Sequence, residues 1–274
     1  MNTRLTLVAL VAGAALLAAP VATATEGTQY YVSLGDSLAV GGQPVFGDTD
    51  EGYTDQLYAA LKADIPKLTH IRLGCSGEST TSMLEGSQLP SIASSCGPPS
   101  FYRHRYPHGT QLAETVSFLH AHRGFVRLVT IDIGSNDLLG PGGASEIAVN
   151  LPEILDALRA AAGSDVPIVG MTYYGAFLPV AWAAGGLPAL QLGIGEIVGF
   201  NDFLEGFYAA AGVAVADVEA AFATTDLTLL AGVPRNVAVV CQWTWMCAAP
   251  PFGPDPHPNR DGYAAIAQAF LDVL

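Results

Sequence analysis

Two rhythms of apolar residues run along the chain. Tyr30, Val32 and Leu34 fall at every second position, a strand pattern that stops at Gly35-Asp36-Ser37, residue types that favour a sharp turn. From Tyr53 to Asp64 the period lengthens, with Tyr53, Leu57, Tyr58 and Leu61 at helical spacing. His70 to Gly74 reads as a second strand and runs into the small, polar stretch Cys75-Ser76-Gly77-Glu78-Ser79-Thr80. Residues 86–109, rich in Ser, Pro and Gly, predict a long loop. Thr110 to His122 predicts a helix with Thr110 as N-cap and Leu112, Val116 and Leu119 on one face. Phe125 to Ile133 is the strongest strand signal and ends in Gly134-Ser135-Asn136-Asp137. A helix over 147–162, an apolar strand over 166–171, an aromatic and glycine-rich loop over 172–190, a glycine-weakened helix over 190–211, a strand over 213–217 and an amphipathic helix over 263–274 complete the pattern.

Strands alternating with helices predict an α/β fold: a five-stranded parallel sheet covered on both faces, with right-handed crossovers. In such a sheet all strands point the same way. The turns at Ser37, Gly77 and Asn136, distant in sequence, should therefore share the carboxyl edge, where open α/β sheets place their ligands.

The first 24 residues stand apart. Arg4 precedes an apolar run from Leu5 to Ala19, and Ala22-Thr23-Ala24 is a small-x-small cleavage pattern. These features predict a signal peptide, removed to leave a secreted chain beginning at Thr25 and a single domain over 25–274. The run is shorter than the ~20 residues of a membrane span, and the Ala-rich stretch 176–200 is interrupted by Pro179, Gly185, Gly186 and Pro188. No stable membrane anchor is expected. A formal net charge of −14, more negative once Arg4 is gone, argues against nucleic acid and anionic surfaces as partners. An exported chain with four cysteines, Cys75, Cys96, Cys241 and Cys247, suggests two disulfides. Three connectivities are possible; sequence neighbours close most easily, which favours Cys75–Cys96 and Cys241–Cys247. The bridge over the longer, roughly 20-residue loop would contribute on the order of 3 kcal/mol by the chain-entropy estimate. Neither pair has zinc-ligand spacing, so no metal is expected.

Ser37 has two readings at this level: a turn or helix-capping residue, or a nucleophile on a rigid support. A serine nucleophile needs a base, and histidine is the usual one. His257 lies in Gly253-Pro254-Asp255-Pro256-His257-Pro258-Asn259, stiffened by three prolines just ahead of the last helix. Asp255 is the nearest carboxylate that could orient its ring. Gly77, through its backbone N–H, and Asn136, through its amide, are candidate donors to an oxyanion. The nucleophile elbow G-x-S-x-G does not occur; Gly74-Cys75-Ser76-Gly77-Glu78 lacks the last glycine.

Gly35-Asp36-Ser37-Leu38, Ser76-Gly77-Glu78-Ser79-Thr80, Gly134-Ser135-Asn136-Asp137 and Asp255-Pro256-His257-Pro258-Asn259 together resemble the four ordered blocks of the SGNH, or GDSL, hydrolase family. The resemblance spans most of the mature chain. It implies a flavodoxin-like three-layer α/β/α sandwich without metal or organic cofactor. It implies Ser37 as nucleophile, His257 as general base, and an oxyanion hole of the Ser37 N–H, the Gly77 N–H and the Asn136 side chain. The export signal and the long loop most resemble the secreted bacterial lipases and esterases of that family. One departure concerns the acid. The family usually places its Asp three residues before the His, where this chain has Pro254. Either Asp255 reaches His257 through the tight turn, or a backbone carbonyl near Pro254 orients the ring.

The remaining histidines carry less. His120 and His122, two apart on a helix, cannot face one ligand, and a role at the helix C-terminus suits them. His104 and His108 sit in a basic, aromatic stretch that reads as a solvated loop or a cleft rim; His70 begins a strand. Asp137 reads as a capping or loop-bracing residue. Tyr173, Tyr174, Phe177, Leu178, Val180 and Trp182 follow the fourth strand and either line an acyl pocket or simply pack. Trp243 and Trp245 are expected beside the Cys241–Cys247 bridge or His257. The expectation is a monomeric, secreted hydrolase of small-molecule or lipid esters. The alternatives are a carbohydrate O-deacetylase with the same site, or a non-catalytic binding domain on a hydrolase fold.

Overall fold

A computed structural model of the protein describes residues 27–86 and 106–274. The expected signal peptide, Cys96 and His104 lie outside the described residues, as does most of the expected loop 86–109.

The chain opens with β1 (Gln29–Gly35), α1 (Tyr53–Asp64), β2 (Leu68–Arg72), α2 (Thr80–Glu85), α3 (Gln111–Ala121) and β3 (Val126–Asp132). It continues through α4 (Ser135–Leu139), α5 (Gly143–Ala162), β4 (Ile168–Met171), α6 (Leu178–Ala210), β5 (Ala214–Ala216) and α7 (Val218–Ala221). The two-residue strands β6 (Leu229–Leu230) and β7 (Val233–Pro234) then form a small antiparallel pair ahead of α8 (Arg235–Trp243) and α9 (Arg260–Leu271).

Strands β1 to β5 form one sheet in the order β2-β1-β3-β4-β5, every neighbouring pair parallel. The chain moves outward from β1 to β2, then reverses past β1 to β3. Because parallel crossovers are right-handed, that reversal sends later helices to the opposite face. Accordingly α1 packs on α9, whereas α3 packs on α5. This is the flavodoxin-like α/β/α arrangement, and its switch point falls between β1 and β3. The strands that flank the crevice are almost wholly buried, with Tyr31, Val32 and Leu34 of β1 and Val129 and Ile131 of β3 inaccessible to solvent.

The structure corrects the sequence expectation most at residues 172–190. They do not form one long loop: α6 begins at Leu178 and continues through Gly186, whose non-helical φ/ψ (60°, −148°) kinks it. Pro179 and Pro188 each sit in the first turn of a helical segment, where a missing N–H leaves no helical hydrogen bond unmade. Helices α2, α4, α7 and α8 are not part of the expected pattern either; the first three have only 6, 5 and 4 residues, too short to show periodicity. Helix α5 starts at Gly143 rather than 147. Helix α9 starts at Arg260 rather than 263, with the Asn259 side chain accepting from the N–H groups of Asp261 and Gly262. Thr110 caps α3 as expected, its side chain accepting from the Ala113 N–H.

Candidate active site

β1 ends at Gly35 with φ +134°, where a Cβ would lie 2.3 Å from Asp132 Oδ1. Only glycine fits this conformation and this approach. The next residue, Asp36, turns the chain: its Oδ1 accepts from the Leu38 N–H at 2.9 Å, an Asx-type turn. No helix follows until Tyr53, so Ser37 caps none. Its side chain faces His257 instead, with Oγ 2.9 Å from Nε2.

His257 comes from the other end of the chain. The loop that carries it is pinned to the segment after α8: the Trp245 N–H donates to His257 O at 3.0 Å, and the Asn259 N–H donates to Trp243 O at 2.9 Å. The Tyr174 hydroxyl donates to Pro256 O at 2.7 Å. A Cys241–Cys247 disulfide closes the Trp243–Trp245 segment from both sides. Asp255 Oδ1 accepts from the His257 N–H at 2.9 Å and lies 2.7 Å from Nδ1. Two residues of separation thus suffice, because one carboxylate oxygen takes both the backbone and the ring donor. Partial burial works to raise the Asp255 pKa, but the two bonds from His257 and its charge outweigh that and hold it below the ordinary carboxylate value.

Asn136, in α4 directly after β3, lies across the crevice. Its Nδ2 donates to Glu78 O at 2.9 Å and, more loosely, to Asp36 Oδ2 at 3.2 Å. Ser37, Asn136 and His257 share the lining of one cavity of about 460 Å³. Its other walls are chiefly apolar, with Leu138 and Leu139 from α4 on one side and Phe177, Ala181, Ile197 and Phe200 on the other. Gly77 (φ +80°) belongs to the turn that Asn136 reaches through Glu78 O, but it is not among the cavity's lining residues.

Residues 33–265 match the model of the GDSL-like lipase/acylhydrolase family. The chain belongs to this family. Among solved structures, an extracellular lipase from Streptomyces rimosus is similar at TM-score 0.52 and 18% identity, over 90% of this chain and 100% of that one. A lipase from a goat rumen metagenome is similar at TM-score 0.50 and 18% identity, over 90% and 97%. A candidate arylesterase from Agrobacterium tumefaciens is similar at TM-score 0.52 and 15% identity, over 90% and 100%. At these identities the likeness is one of fold. The comparison with curated proteins found no match.

Behind the GDSL serine lies a buried polar frame that the sequence reading did not single out. The Asp36 N–H donates to Asp132 Oδ2 at 3.1 Å, and the Tyr53 hydroxyl donates to Asp132 Oδ1 at 2.6 Å. Ser135 Oγ donates to Asp36 Oδ2 at 2.7 Å. Gln111 clamps the end of β1 with both amide atoms, accepting from the Gly35 N–H and donating to Gly35 O. The same Nε2 donates to Glu78 Oε2 at 2.9 Å. Burial raises the pKa of Asp132 well above its ordinary value, with the charge of Asp36 adding to the effect. Burial likewise pushes Glu78 up to about 7, with bonds from Ser82 and Gln111 pulling the other way. The signal available was local: a lone carboxylate inside the apolar run Ile131-Asp132-Ile133 must be buried and must have partners.

The other expected residues fall as follows. Asp137 braces: its carboxylate accepts from the Thr80 N–H and hydroxyl, tying α4 to α2. His122 Nδ1 bonds Phe118 O at the end of α3. His70 lies within β2, stacked on Tyr31 and bonded to Ser33 Oγ. His108 pairs with Glu114, away from the cavity. Tyr173, Tyr174, Phe177 and Leu178 line the cavity; Trp182 packs instead in a small cluster with Leu178, Leu190 and Val237. Cys75 is not free, and Cys96, its expected partner, lies outside the described residues. Among the described residues no group of three or more His, Cys, Asp and Glu side chains is placed to hold a metal ion.

Proposed function

We propose that the chain is a secreted serine hydrolase of carboxylic esters that works through an acyl-enzyme, with residues 25–274 acting as one domain. The observation that carries this reading is the Ser37–His257–Asp255 relay, 2.9 and 2.7 Å across its two contacts, at the wall of an apolar cavity. His257 Nε2 takes the proton as Ser37 Oγ attacks the ester carbonyl, and Asp255 holds Nδ1–H so that Nε2 is free to accept. The carbonyl oxygen becomes an oxyanion held by the Ser37 and Gly77 N–H groups and by Asn136 Nδ2, which exchanges its long contact with Asp36 for the new charge. The protonated His257 then gives its proton to the departing alkoxide. Water, deprotonated by His257, attacks the acyl-enzyme; the acid leaves and Ser37 recovers its proton.

The apolar walls favour an acyl chain over a sugar ring, whose hydroxyls would find few partners there. Export is supported by the apolar leader pattern and by the Cys241–Cys247 bridge, a bond of oxidising compartments. The test is labelling with a fluorophosphonate, together with turnover of short-acyl and medium-acyl esters and acetylated sugars. Labelling lost in Ser37→Ala, with turnover of acyl esters exceeding that of acetylated sugars, is expected. Equal labelling of Ser37→Ala, or preference for acetylated sugars, would overturn the reading.

A further inference from the structure

The mouth of the cavity opens onto a largely apolar surface, with Glu196 the exposed charge in its lining. Leu138 and Leu139 of α4 and Phe177 at the start of α6 both line the cavity and stand out into solvent, Leu139 at 79% exposure. Val180, Leu187 and Leu192 are further exposed apolar residues of the same helix, Leu192 at 72% exposure. The inner side of this half of α6 is spent on Leu178 and Leu190, packed with Val237. The kink at Gly186 turns the two segments about that contact and leaves their outer sides uncovered. The far end of the helix, by contrast, is anchored in the main core through Leu204 and Tyr208. Among the described residues α6 is long and apolar enough to cross a membrane by length and composition. The anchoring of its C-terminal half in the core through Phe200, Leu204 and Tyr208 and the charges of Glu196, Asp202 and Glu205 rule that geometry out for the folded chain.

Charge is distributed just as unevenly. In a chain of formal net charge −14, no Asp, Glu, Lys, Arg or His occurs from Val166 to Gly195. An apolar patch rimming a cavity, with no charge over residues 166–195 and Glu196 at its edge, matches the chemistry of a neutral lipid–water interface.

We propose that α6 and the end of α4 form a docking surface for an uncharged or zwitterionic lipid interface, which delivers an acyl ester directly from the aggregate into the cavity beside Ser37. This rests on the ester-hydrolase reading, with the cavity as its substrate site. The protein's negative charge makes anionic lipid a poorer surface.

The test uses the whole secreted chain, phosphatidylcholine vesicles with and without phosphatidylglycerol, emulsified tributyrin, and p-nitrophenyl acetate as a soluble ester. Leu187→Ser/Leu192→Ser changes two exposed positions outside the cavity lining; Val149→Ser, equally exposed on α5, is the control. Wild type, Ser37→Ala and Val149→Ser are expected to co-sediment with phosphatidylcholine vesicles, less so as phosphatidylglycerol is added. The double variant should bind at least tenfold more weakly and lose tributyrin turnover in step, while its kcat/KM on p-nitrophenyl acetate stays within twofold. Vesicle binding equal to wild type in the double variant, or no binding by wild type, overturns the proposal. So does a wild-type dimer that the double substitution dissociates. Binding by wild type with no turnover of any ester would support the docking surface and sink the hydrolase reading instead.

Discussion

Replacing Glu78 with glutamine isolates the cost of a buried carboxylate beside the candidate oxyanion hole. Glu78 is 2% exposed, and burial lifts its carboxyl from an ordinary 4.5 to about 7, with Asp36 and Asp137 adding repulsion. Between those two pH values the folded chain keeps a proton that the unfolded chain has released. Folding therefore takes up a proton, and stability falls as pH rises from about 4.5, the loss being complete just above 7. The size of that loss is about 3 kcal/mol, from 1.36 kcal/mol for each pH unit between the two values. A glutamine at this position stays neutral throughout and preserves both contacts: its oxygen accepts from Gln111 Nε2 and its amide donates to Ser82 Oγ. Urea unfolding followed by tryptophan fluorescence at pH 4, 5, 6, 7 and 8 reads the difference. The two proteins should be alike near pH 4, and Glu78→Gln should gain steadily to about 3 kcal/mol at pH 8. Other titrating groups are common to both proteins and cancel. A gap that does not change with pH, or a variant less stable at pH 8, would refute the reasoning.

Three further outcomes follow from the site. Asp255→Ala removes the acceptor that fixes the His257 tautomer, so kcat should fall by roughly 10²–10⁴ with little change in KM; near-wild-type turnover would take Asp255 out of the relay. Asn136→Ala should cost about 10²–10³ in kcat as a lost oxyanion donor, measured on a soluble ester alongside circular dichroism, because the same amide also ties α4 to Glu78 O. Cys241→Ser/Cys247→Ser opens a loop with sequence separation 6 and should lower the urea-unfolding free energy by about 2 kcal/mol. Because that loop holds the His257 backbone, kcat should drop as well, while an unchanged kcat would mean that Trp243 and Trp245 hold the histidine loop unaided.

What the sequence determined here was local chemistry and its order. Strand endings in Gly-Asp-Ser and Gly-Ser-Asn and apolar runs alternating in period predicted a parallel sheet with Ser37, Gly77 and Asn136 at one edge, while the proline-stiffened His257 entered as the base a serine needs and through the family resemblance. That inference needs only strand direction: parallel strands end on one side of their sheet, and every neighbouring pair in the observed five-stranded sheet is parallel. The tertiary structure alone decided how close they come and what stands behind them. Whether Asp255 reaches His257 depends on a turn shaped by Trp243 and Trp245, which the chain supplies before the turn begins. The frame of Asp132, Gln111 and Glu78 is invisible to periodicity, because a buried polar residue reveals its partners only once elements far apart in sequence are packed. Pro179 and Pro188 misled for a related reason. A proline has the same local signature whether it breaks a helix or begins one, and only the packing of α6 on Val237 and the main core selects the second.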